Sequence, residues 1–386
     1  MSCVTPGQPG TIYCPGCARE LAPRQTDHRC PGCNGPLSWR PAVPPRFPRE
    51  ELARRPTGIW RYAEALPALP MQVSLGELPT PLVPFDLDGI EVLAKCEFCL
   101  PTGSYKDRGA ALLISQFRAV GVVEAVEDSS GNAGAALAAY AGRAGIRLTV
   151  FCPASAPAAK LVQVRQYGAG LVRVEGPRPR ATEALLEHVR RTGATYASHL
   201  WQPLFLHGVK TMAFELWEQL GGQAPEVVVC PVGAGSILLG LYYGFSELLQ
   251  AGAIAALPKL VAVQAERVSP VCTAMQTKAD RVTPAAAGAS TLADGIALPG
   301  PVRDRELLHA LREASGTAVA VTEDEIADGV RRLGRAGFCV EPTSATIWPG
   351  LQRLRDQGRL RPGTTVVAIL SGHGLKAGAA IAPLLD

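Results

Sequence analysis

The chain has 386 residues, enough to bury a large core and, by length alone, to form two or three domains. Apolar residues make up 47% and aromatics only 6%, with 40 Gly and 33 Pro, which excludes a fibrous or disordered protein and favours a turn-rich globular one. A formal charge of +4 is small for this size and points to neither a nucleic acid nor a membrane surface as partner.

Two Cys-x-x-Cys turns, Cys14-Pro-Gly-Cys17 and Cys30-Pro-Gly-Cys33, stand twelve residues apart near the N-terminus. Each turn brings two sulfurs toward one tetrahedral ion, so residues 11–40 read as a zinc-ribbon-like segment. Four thiolates leave no open coordination position, which makes the zinc structural. The segment has too little apolar content to fold alone, so the metal supplies its folding energy. The other cysteines sit singly, in apolar runs or loops, unlike a secreted disulfide scaffold. Residues 41–58 form a Pro/Arg-rich linker, expected to make few contacts across it.

Residues 59–386 form the main globular region. From residue 91 strand and helix patterns alternate. Strands are predicted at 91–97, 122–127, 147–152, 171–174, 226–230, 259–264, 317–321 and 364–370. Helices are predicted between them, one of them opened by a capping box of Thr322 and Glu325. This alternation gives an α/β fold with parallel sheets covered by helices, whose ligands sit at the C-terminal strand ends. The uncharged run 227–246 is long enough for a bilayer, but Pro231, Gly233, Gly235, Gly240 and Gly244 interrupt it. No basic-then-apolar signal opens the chain, and a cytoplasmic protein without membrane contact is expected.

Four motifs fall where such strands end. In Pro101-Thr-Gly-Ser-Tyr-Lys-Asp-Arg-Gly109 a tight turn presents Lys106 at a helix start. Ser129-Ser-Gly-Asn-Ala-Gly134 follows a strand and offers the Asn132 amide. Pro231-Val-Gly-Ala-Gly-Ser236 places the amides of Gly233, Ala234, Gly235 and Ser236 at a helix N-terminus, an anion site. Its late position and the absence of a lysine in Walker spacing argue against a nucleotide P-loop. Ser371-Gly-His-Gly-Leu-Lys376 follows the last predicted strand and offers a neutral hydroxyl. Together these are the parts a pyridoxal phosphate lysine needs: a phosphate cradle, Asn132 for the ring hydroxyl, and Ser371 for the ring nitrogen. Lys106 is then the lysine that holds the cofactor and moves the α-proton. A hydroxyl facing the nitrogen makes a gentler electron sink than an aspartate. That favours elimination and replacement over transamination.

These motifs, in this order, resemble the fold-type II (tryptophan synthase β-like) pyridoxal phosphate enzymes, and among them the threonine synthase family. The likeness spans residues 75–386, with Thr102–Arg108 written Thr-Gly-Ser-Tyr-Lys-Asp-Arg and the Ser371 motif as its most specific parts. It implies two interleaved subdomains with the cofactor in the cleft, an amino-acid substrate and a homodimer. It also implies conversion of O-phospho-L-homoserine and water to L-threonine and phosphate. Lys95, Arg108 and Lys210 are then candidates for the substrate phosphate. Three departures accompany the likeness. Leu100 stands where relatives carry asparagine, His207 where they carry an acidic residue, and the cradle resembles that of threonine/serine ammonia-lyases. The alternative activity is accordingly a threonine or serine ammonia-lyase, or another fold-type II β-elimination or replacement enzyme.

Overall fold

A computed structural model describes residues 7–22, 26–156, 158–286 and 289–385. The chain divides into two compact units, each assembled from two stretches. The first unit takes Met1–Leu78 and Lys106–Thr211, the second Pro79–Tyr105 and Met212–Asp386. The cysteine segment therefore belongs to the first unit, and the chain enters that unit for the second time at Lys106.

Thirteen strands follow one another among the described residues. They are β1 (Gly10–Tyr13), β2 (Glu20–Leu21), β3 (Ser38–Pro41), β4 (Leu82–Leu87), β5 (Ile90–Lys95), β6 (Glu124–Glu127) and β7 (Arg147–Pro153). After them come β8 (Gly170–Val174), β9 (Thr195–Tyr196), β10 (Val227–Pro231), β11 (Lys259–Ala265), β12 (Thr317–Val321) and β13 (Val366–Ile369).

In the first unit β1 lies between β2 and β3 in a small antiparallel sheet. The main sheet runs β8-β7-β6-β9 with every pairing parallel. Parallel pairing requires crossovers, and the helices Asn132–Ala144 and Ala158–Gln166 supply two of them. Val126, Phe151, Leu185 and Tyr196 pack as one buried cluster. The helix Lys106–Ala119 closes on the helix Pro203–Val209 where two glycines meet it. A Cβ on Gly208 would lie 2.1 Å from the Arg108 carbonyl oxygen, and one on Gly109 would lie 2.5 Å from the Phe205 ring. Any larger residue at 208 would push the helix start away.

In the second unit the sheet order is β12-β11-β10-β13-β5-β4. It is parallel except for β4, which pairs antiparallel with β5. The sequence pattern predicted only the second of these two strands. Asp88 and Gly89 join them in left-handed backbone, φ 50° and 89°, which is the two-residue turn an Asp-Gly pair favours. The strand read at 91–97 ends at Lys95, and Glu97–Cys99 turns into a short 3₁₀ helix. Thr322 and Glu325 form the predicted capping box, with bonds of 3.3 and 2.7 Å.

The 227–246 run becomes β10, a glycine turn and part of the helix Ser236–Gln250. Among the described residues no helix is long and apolar enough to cross a membrane. The proline-rich segment does not isolate the ribbon as its composition suggests. Trp39 on β3 is buried, and its backbone N–H donates to His207 Nε2 at 3.4 Å.

Candidate active site

In the first unit Lys106 opens a fourteen-residue helix and is half-buried, its Nζ 5.8 Å from the centroid of the Phe205 ring. Asn132 opens the helix Asn132–Ala144 just past the C-terminal end of β6. The turn before it is tight: a Cβ on Gly134 would lie 1.9 Å from the Ser129 carbonyl oxygen. Only glycine lets the chain reverse that closely. Arg108 is buried, with Nη1 3.4 Å from the Thr211 hydroxyl, and Lys210 next to that threonine is fully buried. The fold thus brings Arg108 and Lys210 to one segment of the first unit.

In the second unit β10 ends at Pro231 and the chain turns through Gly233, Ala234 and Gly235 into the helix at Ser236. Gly235 caps that helix at φ 83°, and a Cβ on Gly233 would lie 2.8 Å from the Ile296 Cα. The turn is therefore glycine by necessity, and its amides open a fifteen-residue helix, the dipole end that favours an anion. Ser371 follows β13 and is buried, its hydroxyl 3.0 Å from that of Ser344.

The two most specific sequence motifs meet in this unit. The Tyr105 N–H donates to the Ser371 carbonyl at 3.1 Å, and His373 N–H to the Gly103 carbonyl at 3.0 Å. Lys376 Nζ donates to the Thr102 carbonyl at 2.8 Å. The Tyr105 hydroxyl lies 2.8 Å from the Ser236 hydroxyl. The residue just before Lys106 thus touches both the glycine turn and the Ser371 loop.

Residues 73–372 match the family model described as pyridoxal-phosphate dependent enzyme. A threonine synthase of Methanocaldococcus jannaschii is 34% identical over 336 residues, 85% of this chain and 82% of that protein. One of Methanosarcina acetivorans is 34% identical over 373 residues, 95% of this chain and 92% of that protein. The chain belongs to the threonine synthase family of pyridoxal phosphate-dependent enzymes. A threonine deaminase from T.th. shares the fold at a TM-score of 0.65 and 26% identity, over 76% of this chain and 92% of that one.

The residues fit the family's cofactor on the structure's own terms. In this family member the Gly233–Ser236 turn has no room for side chains, since a Cβ at 233 would meet Ile296 and one at 235 would meet Leu307, and its amides at the helix start could hold a phosphate. Ser371 supplies the neutral hydroxyl. Lys95 is the third candidate cation. It is fully buried in the second unit, and its ammonium donates to the Thr80 carbonyl (2.9 Å), Glu215 Oε1 (2.5 Å) and Gln219 Oε1 (2.7 Å). Three donors meet three acceptors, so the structure gives Lys95 an internal partner set.

Four cysteine sulfurs of the first unit, from Cys14, Cys17, Cys30 and Cys33, lie within 4.8 Å of one another. The knuckles are built alike. Ala18 and Asn34, each four residues after a first cysteine, take φ of 58° and 59° and donate their N–H to Cys14 and Cys30 carbonyls. That donor set fits a tetrahedral ion.

Sequence reading missed one feature of this family member. Glu127 ends β6 and His199 follows β9, the strand paired with it, and His199 Nδ1 lies 2.7 Å from Glu127 Oε1. Both are buried, and Glu127 Oε2 has no hydrogen-bond partner among the described residues. A carboxylate closing an apolar strand was the available signal. Burial, then the Asp128 charge, pushes the Glu127 carboxyl well above its usual range. Burial, then the Lys106 and Arg178 charges, holds the His199 imidazole well below its own.

Folded, this pair holds one proton, whichever partner carries it. Unfolded, the same two groups hold two protons below about pH 4.5, one up to about pH 6.5 and none above. Counting protons, the pair's contribution to stability is flat between those values. It falls as pH drops below the lower one, where the unfolded chain binds more protons. It also falls as pH rises above the upper one, where the folded chain does, by up to about 1.4 kcal/mol per pH unit on each limb. Denaturant unfolding of Glu127→Gln/His199→Gln against the parent across pH 4–8 should show both limbs reduced. Superimposable profiles would contradict it.

Proposed function

We propose that the protein converts O-phospho-L-homoserine and water to L-threonine and phosphate, as a pyridoxal phosphate-dependent carbon–oxygen lyase. The observation that carries this reading is the pair of buried cations, Arg108, whose guanidinium reaches the Thr211 hydroxyl, and Lys210 just before that threonine, both outside the glycine cradle. A γ-phosphate dianion needs fixed donors beyond those that hold the cofactor phosphate. The threonine synthases that match over most of their length support the same substrate.

In this reading the first unit contributes Lys106 and Asn132, and the second the Gly233, Ala234, Gly235 and Ser236 cradle with Ser371. The bound cofactor supplies an electron sink for the carbons next to the amino group. Lys106 Nζ receives the α-proton and later returns one. Asn132 would hold the cofactor ring through its hydroxyl oxygen, and Ser371, braced by Ser344, would offer a hydroxyl to the ring nitrogen. Arg108 and Lys210 hold the phosphate, which departs from the γ-carbon with the C–O electron pair once the β-carbon has also given up a proton; the γ-carbon then gains a proton, and water adds its oxygen at the β-carbon and releases its own proton. Lys95, first read with these two, belongs with Glu215 instead. Cys14, Cys17, Cys30 and Cys33 hold a structural zinc. The protein is a cytoplasmic homodimer, a state that sedimentation of the purified protein checks.

The second reading is a threonine or serine ammonia-lyase, supported by the likeness to a threonine deaminase. Such an enzyme has no γ-phosphate to bind. Replacing Arg108 by alanine should therefore raise KM for O-phosphohomoserine more than about tenfold, roughly 1.4 kcal/mol of lost binding. Phosphate and keto-acid assays on O-phosphohomoserine, threonine and serine decide between the two. Keto acid from threonine or serine, with no phosphate released, selects the lyase.

A further inference from the structure

Several aromatic and cationic contacts of the cysteine segment reach one stretch of the first unit, residues 196–210. His28 meets the Tyr196 ring edge-on at 5.0 Å between centroids. Arg29 lies over Trp201, 3.8 Å from its centroid. The Gln202 amide donates to the Thr26 carbonyl at 3.0 Å. Trp39 meets the His207 ring edge-on at 5.2 Å and gives it the backbone N–H. Finally, Lys210 Nζ stands 5.1 Å from the centroid of the Trp39 ring.

That stretch is not a passive wall. It carries Phe205, whose ring faces Lys106, and Gly208, on which the Arg108 backbone closes. It ends in Lys210. At the other end of the linkage, Trp39 is tied to the cysteines. It pairs with Ile12 across β3 and β1, and β1 runs straight into Cys14. The ribbon's own buried apolar residues, chiefly Ile12, Leu37 and Trp39, are few. Its order therefore depends on whatever holds the four sulfurs together. A buried ammonium over an indole face gains from the ring's electrons only while that ring stays in place.

We propose that the metal-bound ribbon positions Lys210 through Trp39, so that occupancy of the four-cysteine site sets how tightly the phosphorylated substrate binds. Trp39 is in this sense a positioning residue, acting on substrate only through Lys210. The substrate part rests on the function proposed above; the coupling of metal to Lys210 does not. His207 is the surface that receives Trp39.

The test uses full-length holoenzyme in three forms: parent, Trp39→Leu and Trp39→Phe. Zinc content, kcat and KM for O-phosphohomoserine, and site-resolved labelling of Lys210 by an amine-directed reagent are measured on each. Trp39→Leu should keep one zinc, raise Lys210 labelling and KM about tenfold, and leave kcat within about twofold. Trp39→Phe, which restores a ring face, should recover most of both changes. Should Trp39→Leu not fold, stripping zinc from the parent with a chelator should raise Lys210 labelling by the same factor. Unchanged labelling in a folded, zinc-bound Trp39→Leu, or in the fully stripped parent, overturns the proposal. If the parent releases no phosphate from O-phosphohomoserine, the substrate reading fails, while the labelling result still decides the coupling.

Discussion

Replacing Lys106 by alanine should leave a folded protein from which borohydride fixes no cofactor, with turnover reduced more than about 10³-fold. Two losses combine. The variant has no amine to join the cofactor, and no base to take the α-proton, which alone typically supplies about 10²–10⁴ in rate. The fold tolerates the change because Lys106 is only half-buried at the first position of its helix, where alanine is a good helix former. The cradle at Gly233–Ser236 and the Ser371 hydroxyl remain, so the variant should still bind pyridoxal phosphate reversibly. Peptide mapping after borohydride reduction of the parent should find the cofactor on residue 106. Finding it on Lys95 or Lys210 would remove the basis of the site.

The largest stability effect is expected at Lys95. Its ammonium and the Glu215 carboxylate are both buried, and Glu215 also accepts the Thr80 N–H at 2.8 Å. Lys95→Met removes one charge and strands the other inside the second unit, which costs about 3–5 kcal/mol. The paired change Lys95→Met/Glu215→Leu removes both charges and should recover most of that loss, because burying an ion pair gains little over apolar packing. Chemical denaturation of the three proteins measures the coupling. If the single variant loses under about 1 kcal/mol, Lys95 is not the internal charge described here, and its assignment to substrate phosphate returns.

The internal partners of Lys95 show what sequence could and could not convey. Glycine turns, the lysine at a helix start and the paired knuckles are local patterns, each dictated by neighbours within a few residues. They were legible for that reason: the Gly233–Ser236 turn and the Thr322 capping box stand where the sequence placed them. Strands β5 to β8 and β10 to β13 were visible as short, mainly apolar runs set between helical patterns. β4 was not, since Leu82–Leu87 carries proline and aspartate on an edge, and β9, two residues long, carries no pattern.

The non-local facts needed the fold. Lys95 finds Glu215 across 120 residues of chain, and Glu127 finds His199 across 72. No spacing rule joins either pair. The ribbon misled for the same reason. A proline-rich linker predicts independence from its composition, but Trp39 reaches His207 across 168 residues. The departure at His207 was readable in the sequence; its partner was not.

The central claim is that the γ-phosphate leaves by carbon–oxygen cleavage and that water enters at the β-carbon. Turnover of O-phosphohomoserine in ¹⁸O-water, followed by mass analysis of both products, tests it directly. The account predicts one ¹⁸O in the threonine hydroxyl and none in the released phosphate. Label in the phosphate together with homoserine as the other product, or no phosphate release at all, would contradict it.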